Sequence, residues 1–322
     1  MPTDAPNTLH DCDWSSPGNS GLLDDSDIAP LSESFGFEDL DLSQLSQTPA
    51  LPLVKLSTTF NHELTDENGG TPDVQLISYD AVHFAVHAAK LRAVSSNNFS
   101  GLISPLDIIA FAPLTSAVLN LLLHAVYELD PAKYAPSIGD LATAVEALEH
   151  YGLSKEMHMR STSPLFQAIM SHAPSLPLEC YKLAAHANIE ELAVLVSPYT
   201  LRLSLSEITE EDGVCMGALY MKRLFFLHMG RVEALKRILL PPPALHLFTN
   251  ECDAVSQRRP SRAWTMTVAE MTWNLGPNLS AISLETRMGA IAKELDCPEC
   301  VIQLEHRVEQ LLLEYSLIKR TI

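Results

Sequence analysis

Apolar and polar positions begin to follow a regular pattern after Asn68-Gly69-Gly70-Thr71-Pro72, a cluster of turn-forming residues. Residues 73–78 alternate in part and predict a strand. Residues 79–81 predict a turn, and residues 82–86 (Val-His-Phe-Ala-Val) alternate again, as the second strand of a hairpin does. Ala88, Ala89, Leu91, Arg92 and Val94 then predict a helix, broken by Ser95-Ser96-Asn97-Asn98. Residues 106–111 predict a buried strand. Thr115 or Ser116 is placed to cap a helix in which Val118, Leu119, Leu122, Leu123, Val126 and Tyr127 recur at helical spacing. A further amphipathic helix is predicted over 138–151, with Leu141, Val145, Leu148 and Tyr151 on one face and Gly152 as its stop. The remainder predicts helices: 164–171, 178–187, 189–197, 201–205, 211–229, 231–240 ending at three prolines, 263–275, 284–295 and 298–318. Trp264 and Trp273 are expected in the core of this helical region. Leu224-Phe225-Phe226-Leu227 and Leu311-Leu312-Leu313 are expected as helix core. No repeat of fixed period is visible.

Composition changes the picture mainly at the N-terminus. The chain carries 40 acids against 21 bases and a net charge of −19. Asp4, Asp11, Asp13, Asp24, Asp25, Asp27, Glu33, Glu38, Asp39 and Asp41 all fall within residues 1–50, which contain no Lys or Arg. Self-repulsion and scarce apolar surface predict a disordered acidic leader over residues 1–55. Within it, residues 33–45 interleave acids with Phe35, Phe37, Leu40, Leu42 and Leu45. That pattern suits folding onto an apolar groove of a partner, and resembles acidic activation segments. The negative balance argues against direct binding of nucleic acid or anionic membranes. The basic clusters, Arg258-Arg259 with Arg262 and Lys319-Arg320, are short and read as solvated faces or helix ends. No 18-residue apolar run and no secretory leader are visible. The expected location is therefore intracellular, in cytoplasm or nucleus.

The order hairpin, helix, strand, helix, helix resembles that of BTB/POZ domains. So do the residues: Asp73-Val74, Asp80, Phe84-Ala85-Val86-His87, Leu91, Ser95 and Phe99, then Val118, Leu122-Leu123 and Val126-Tyr127, then Leu141, Ala144, Ala147 and Tyr151-Gly152-Leu153. The resemblance spans about residues 72–154. The Ser95-Ser96-Asn97-Asn98-Phe99 form and the later Gly217–His228 stretch resemble a fungal branch of that family, with the Phe one place later than in most animal members. The resemblance implies an α/β BTB/POZ domain over 56–154, a small sheet with a helical cluster, followed by an all-α region over 155–322. It implies Asp73, Phe84, His87, Leu91, Ser95, Phe99, Tyr127, Tyr151 and Gly152 as determinants of the fold. It also implies a non-enzymatic function: association with other protein chains, as homodimer or scaffold, or as a substrate adaptor recruiting a cullin-type ubiquitin ligase. The alternative is a transcriptional regulator acting through residues 33–45.

Motifs for chemistry are few. There is no Gly-rich phosphate loop, nucleophile elbow or His-Glu-x-x-His. His87, where the strand hands over to the helix, is expected as a buried histidine bonded to backbone. His83 and His87 lie across a predicted strand and are not expected to form a metal pair. Asp73 and Asp80 are expected as strand-end or turn carboxylates. Six cysteines are scattered along the chain, a spacing that argues against a disulfide framework. Cys297-Pro298-Glu299-Cys300 is the exception, because a Cys-x-x-Cys knuckle brings two thiolates to one ion. The first expectation is two thiols at a helix N-terminus with no cofactor. The alternative is a structural zinc held by Cys297, Cys300 and Cys252, with His246 or His306 as fourth ligand. Redox chemistry is the third reading.

Overall fold

The computed structural model describes Cys12, residues 55–104 and residues 108–322. The acidic leader and its 33–45 segment, apart from Cys12 and Lys55, lie outside these described residues. The protein is mixed α/β and mostly helical, with one four-stranded sheet. Its residues divide into two compact units. One comprises described residues among 55–129 together with 146–155; the other comprises Cys12, 130–145 and 156–322.

In the first unit, β1 (Lys55–Leu56), β2 (Val74–Ile77), β3 (Val82–Val86) and β4 (Ile109–Phe111) form a sheet of order β1-β3-β2-β4. The β2–β3 pair is an antiparallel hairpin in register Val74↔Val86, while β1 pairs with β3 and β4 with β2 in parallel. α1 (Ala88–Val94) follows β3, and α2 (Ser116–Tyr127) follows β4. Both helices start on carboxylates that the sequence places at strand ends. Asp73 Oδ1 accepts from the Ala88 amide at 2.7 Å, and Asp80 accepts from the Ser116 amide at 2.7 Å and from its hydroxyl at 2.6 Å. Each carboxylate satisfies a donor that the first helical turn leaves without an intrahelical partner. Thr115 is the N-cap of α2, its side chain accepting from the Val118 amide.

β4 departs from expectation. Residues 105–107 lie outside the described residues, and Ile109 and Phe111 are exposed, so the strand is an edge strand and not a buried one. An edge position leaves one side of a strand without a neighbour, which alternation alone does not reveal.

The end of α3 (Ile138–His150) locks onto the loop after α1. The Ser95 hydroxyl donates to the Tyr151 carbonyl at 2.8 Å and accepts from the Phe99 amide at 2.7 Å. Asn97 Nδ2 donates to the His150 carbonyl at 2.8 Å, and the Ser96 amide to the Gly152 carbonyl at 2.9 Å. Phe99 and Tyr151 pack against each other at a tilt of 42°, with ring centroids 4.6 Å apart and both side chains buried. Gly152 has φ +67°, and a Cβ there would lie 2.5 Å from Asn97 Oδ1 and 2.8 Å from its backbone nitrogen. Replacing Gly152 by Ala is therefore expected to destabilise the chain by about 2–3 kcal/mol, from left-handed strain plus the clash. Urea unfolding of the variant measures it.

The second unit is helical: α4 (Lys155–His158, its first residue belonging to the other unit), α5 (Pro164–His172), α6 (Pro177–His186), α7 (Glu190–Thr200), α8 (Glu210–Leu239), α9 (Arg258–Trp273), α10 (Ala281–Gly289) and α11 (Pro298–Ser316). Residues 201–205 form a turn and the start of a short 3₁₀ segment in place of the expected helix. The two helices expected on either side of Gly230 are one. The interruption falls instead at Gly217, whose φ of 71° is open to glycine, while Gly230 stays helical. A capping box between Thr209 and Asp212 starts α8. Lys182, buried, pairs with Asp212 at 2.7 Å and Glu179 at 3.0 Å. Burial alone would raise the Asp212 pKa, but bonds from Lys182 and Thr209 outweigh it and hold the carboxyl below its usual range.

The C-terminal core of this unit gathers Leu239, Trp264, Met271, Leu284, Met288, Leu304 and Leu311. Trp264 is fully buried and its indole N–H donates to the Leu239 carbonyl at 2.9 Å. Trp273, expected beside it, is 88% exposed. Nine residues at about 100° each turn half a circle beyond two full turns, so the two rings face opposite ways. Phe226 and Leu313 are likewise exposed within runs expected to be core, while Leu224, Leu227 and Leu311 are buried.

Candidate metal centre

The loop after α8 begins at Pro241-Pro242-Pro243, where the helix cannot continue. Buried Arg307 of α11 fixes its start, donating to the Ile238 carbonyl at 2.6 Å and the Pro241 carbonyl at 3.0 Å. The loop then presents His246 and, through a tight turn in which Thr249 and Cys252 exchange backbone bonds at 3.3 Å, Cys252. From the other side, α11 opens with Cys297 as N-cap, Pro298 in its first turn and Cys300 one turn in. Pro is suited to that position because its missing N–H is not needed there.

These pieces bring four donor atoms together. The His246 Nε2 lies 3.3 Å from Cys300 Sγ and 3.5 Å from Cys297 Sγ, and Cys252 Sγ lies 3.7 Å from Cys300 Sγ. All four donor atoms lie within 4.8 Å of one another. A tetrahedral ion with metal–sulfur bonds of about 2.3 Å and metal–nitrogen bonds of about 2.0–2.1 Å sets sulfur–sulfur edges near ~3.8 Å and sulfur–nitrogen edges near ~3.6 Å. Those three separations lie close to the edges of such a tetrahedron, so the cluster can hold one metal ion.

The surroundings suit anionic sulfur and turn an imidazole lone pair toward it. Backbone N–H bonds, from Cys300 first and also from Glu299, hold the Cys297 thiol down to about 7. The amides at a helix N-terminus favour negative charge there. Burial pushes Cys300 up to about 12 in the metal-free site, and a cation is what makes such a buried thiolate affordable. His246 Nδ1 lies 2.6 Å from the Leu247 carbonyl, to which its N–H donates, leaving Nε2 as the lone-pair nitrogen facing the sulfurs. Gln257 is 98% buried and its amide nitrogen is 3.4 Å from the same Nδ1, while its amide oxygen has no partner among the described residues. Exchanging the two ends of that amide sets its oxygen beside the Nδ1–H as a second, longer acceptor, sharing that proton with the Leu247 carbonyl. Gln257 then orients His246 from behind. Gln257→Leu is expected to weaken metal affinity by about 10–100-fold, read by competition with a chromogenic chelator.

Of the residues weighed from sequence, Cys252, Cys297 and Cys300 converge, and His246 completes them. His306 is exposed on α11 and is not part of the cluster. His87 is buried. Its Nε2 is 3.1 Å from the Gly70 carbonyl and its Nδ1 is 3.0 Å from the Tyr127 hydroxyl, which also accepts from the His87 amide. Phe84 and Leu91 are buried beside them in the first unit. One grouping had no signal in the sequence: Cys12 and Cys215 form a disulfide, with His186 Nδ1 3.6 Å from Cys12 Sγ. Their 203-residue separation carries no spacing motif; the scattered cysteines argued against a disulfide framework, yet one pair is bonded and four cysteines, Cys180 among them, are not. Among the described residues no helix is long and apolar enough to cross a membrane. Comparison of the chain with protein-family models, with curated proteins and with solved structures found no match.

Proposed function

We propose that the chain is a non-enzymatic protein-interaction module: a BTB/POZ-type unit that associates with a second copy, joined to a helical unit stapled by structural zinc. The observation that carries the reading is the edge of the sheet. β4 ends the order β1-β3-β2-β4 and leaves Ile108 and Phe111 each 72% exposed, with Tyr79 of the neighbouring β2–β3 turn at 85%. An apolar edge strand is a template for pairing with another chain. The Ser95, Phe99, Tyr151 and Gly152 junction supports the family reading, because each of these four residues has a packing, hydrogen-bonding or backbone duty in the sheet-bearing unit.

Zinc is proposed for the metal centre because three thiolates and one imidazole form a borderline-soft tetrahedral set, the preference of Zn²⁺. Four protein ligands leave no open position for substrate or water. That favours a structural role over a catalytic one. On this reading the adaptor function, including recruitment of a cullin-type ligase, belongs to the sheet-bearing unit, and the stapled helices are available for a second partner.

Sedimentation equilibrium of the full chain tests the self-association. A dimer mass that falls to the monomer mass in Phe111→Asp, with helix content unchanged, supports the reading. A monomer at all concentrations sinks the homotypic part of it.

A further inference from the structure

Cys12 and Cys215 stand 203 residues apart in sequence, yet their Cα atoms lie 5.7 Å apart and their sulfurs are bonded. An imidazole stands beside them. His186 Nδ1 lies 3.6 Å from Cys12 Sγ, and the three donor atoms lie within 4.8 Å of one another. All three residues belong to the helical unit. Two helices preset the arrangement. Lys182 and His186 sit one turn apart on α6, and Asp212 and Cys215 sit about one turn apart in the first segment of α8, before the interruption at Gly217. Residues three or four apart share a helix face. The buried Lys182–Asp212 ion pair at 2.7 Å therefore sets the two helices so that His186 and Cys215 meet, and Cys12 supplies the third donor.

A disulfide has no use for the imidazole, whereas an ion does. The nitrogen–sulfur separation matches the edge of a tetrahedral zinc site, about 3.6 Å. His186 is the last residue of α6, and the closing carbonyls of a helix favour a cation. Two thiolates neutralise a divalent ion. The loaded site would carry no net charge, which suits a place where Cys215 is buried and Cys12 and His186 are half-buried.

We infer that Cys12, His186 and Cys215 form a second zinc site, which the disulfide closes and reduction opens. A dithiol reductant gives two electrons and two protons to the Cys12–Cys215 bond and becomes a disulfide itself. The two protein thiols then yield both protons to solvent as their sulfurs bind Zn²⁺. The ion takes over from the covalent bond in holding Cys12 to α8, so the anchor persists in both redox states. Three protein donors leave one position for water. They also hold the ion more weakly than the four donors of the first centre, so loading requires added Zn²⁺. The two centres share no residue, and neither needs the other to be loaded.

Alkylation of the full chain by iodoacetamide, read cysteine by cysteine in peptide mass spectra, tests this. The chain is reduced with a phosphine, freed of it without air, and alkylated with and without added Zn²⁺. Cys12 and Cys215 are expected to react at least about tenfold more slowly with the ion present, because a metal-bound thiolate is not free to attack. His186→Ala, which keeps both thiols, is expected to need at least about tenfold more Zn²⁺ for the same protection. As a second measurement, zinc uptake is followed in competition with a chromogenic chelator. The reduced chain is expected to take up one ion more than the disulfide form, and Cys12→Ser to show no such difference. Protection confined to Cys252, Cys297 and Cys300 leaves the first centre standing and overturns the second. Protection of Cys12 and Cys215 indifferent to His186→Ala, or equal uptake by the reduced and disulfide forms, overturns it as well.

Discussion

Cys300→Ala is expected to lower the stability of the chain by more than about 4 kcal/mol, and to open the C-terminal helical region to hydrogen exchange before the sheet-bearing unit. Loss of a structural metal is among the few single changes that reach this size. The magnitude follows from position. Cys300 is buried, in the first turn of α11, and its sulfur sits between those of the loop and His246. Removing it leaves three donors for an ion that needs four, and leaves a buried Cys252 with its partner gone. The loop from Pro241 to Gln257 has no helix of its own; Arg307 bonds its start to α11, and on the proposed reading an ion would tie the rest of it there. A strong chelator is expected to produce the same exchange pattern in the unaltered chain, reversed by adding Zn²⁺. An unchanged pattern after chelation, with the ion removed, contradicts the structural role.

Trp264→Ala is expected to cost about 3–5 kcal/mol, while Trp273→Ala changes stability by less than about 0.5 kcal/mol. Trp264 is fully buried among Leu239, Val268 and Leu304, donates its indole N–H to the Leu239 carbonyl, and lies under the Arg307 guanidinium at 5.4 Å. Its loss creates a cavity, orphans a carbonyl and frees the arginine that pins the start of the metal loop. Weaker retention of the proposed metal ion is therefore expected to accompany the loss of stability. Trp273 has none of these contacts to lose. Denaturant midpoints for the two variants check the contrast; similar values for both would contradict the packing described.

Much of the first unit was legible in the chain because its signals are local. The hairpin follows from alternation on either side of a short turn, and Asp73, Asp80 and Thr115 stand at helix starts where carboxylates and hydroxyls satisfy unpaired amides. Gly152 was legible as a stop because a left-handed residue after a helix favours glycine. The features that escaped depend on distant partners. Whether Gly217 or Gly230 interrupts α8 turns on packing, since glycine is tolerated within a helix at a cost of only about 1 kcal/mol. The exposure of β4 depends on which side of β2 it takes. Cys12 and Cys215 meet only in three dimensions. The choice of His246 over His306 rests on the loop path set by Arg307 and the Thr249–Cys252 turn, although His306 is nearer to Cys300 in sequence. The opposed faces of Trp264 and Trp273, by contrast, were readable from their spacing alone, once the helix was taken to run through both.

The metal content of the full chain tests the central claim most directly. Native mass spectrometry of protein purified without added metal is expected to show one Zn²⁺ per chain, absent from Cys300→Ala. A metal-free chain with Cys252, Cys297 and Cys300 all open to thiol reagents would contradict it.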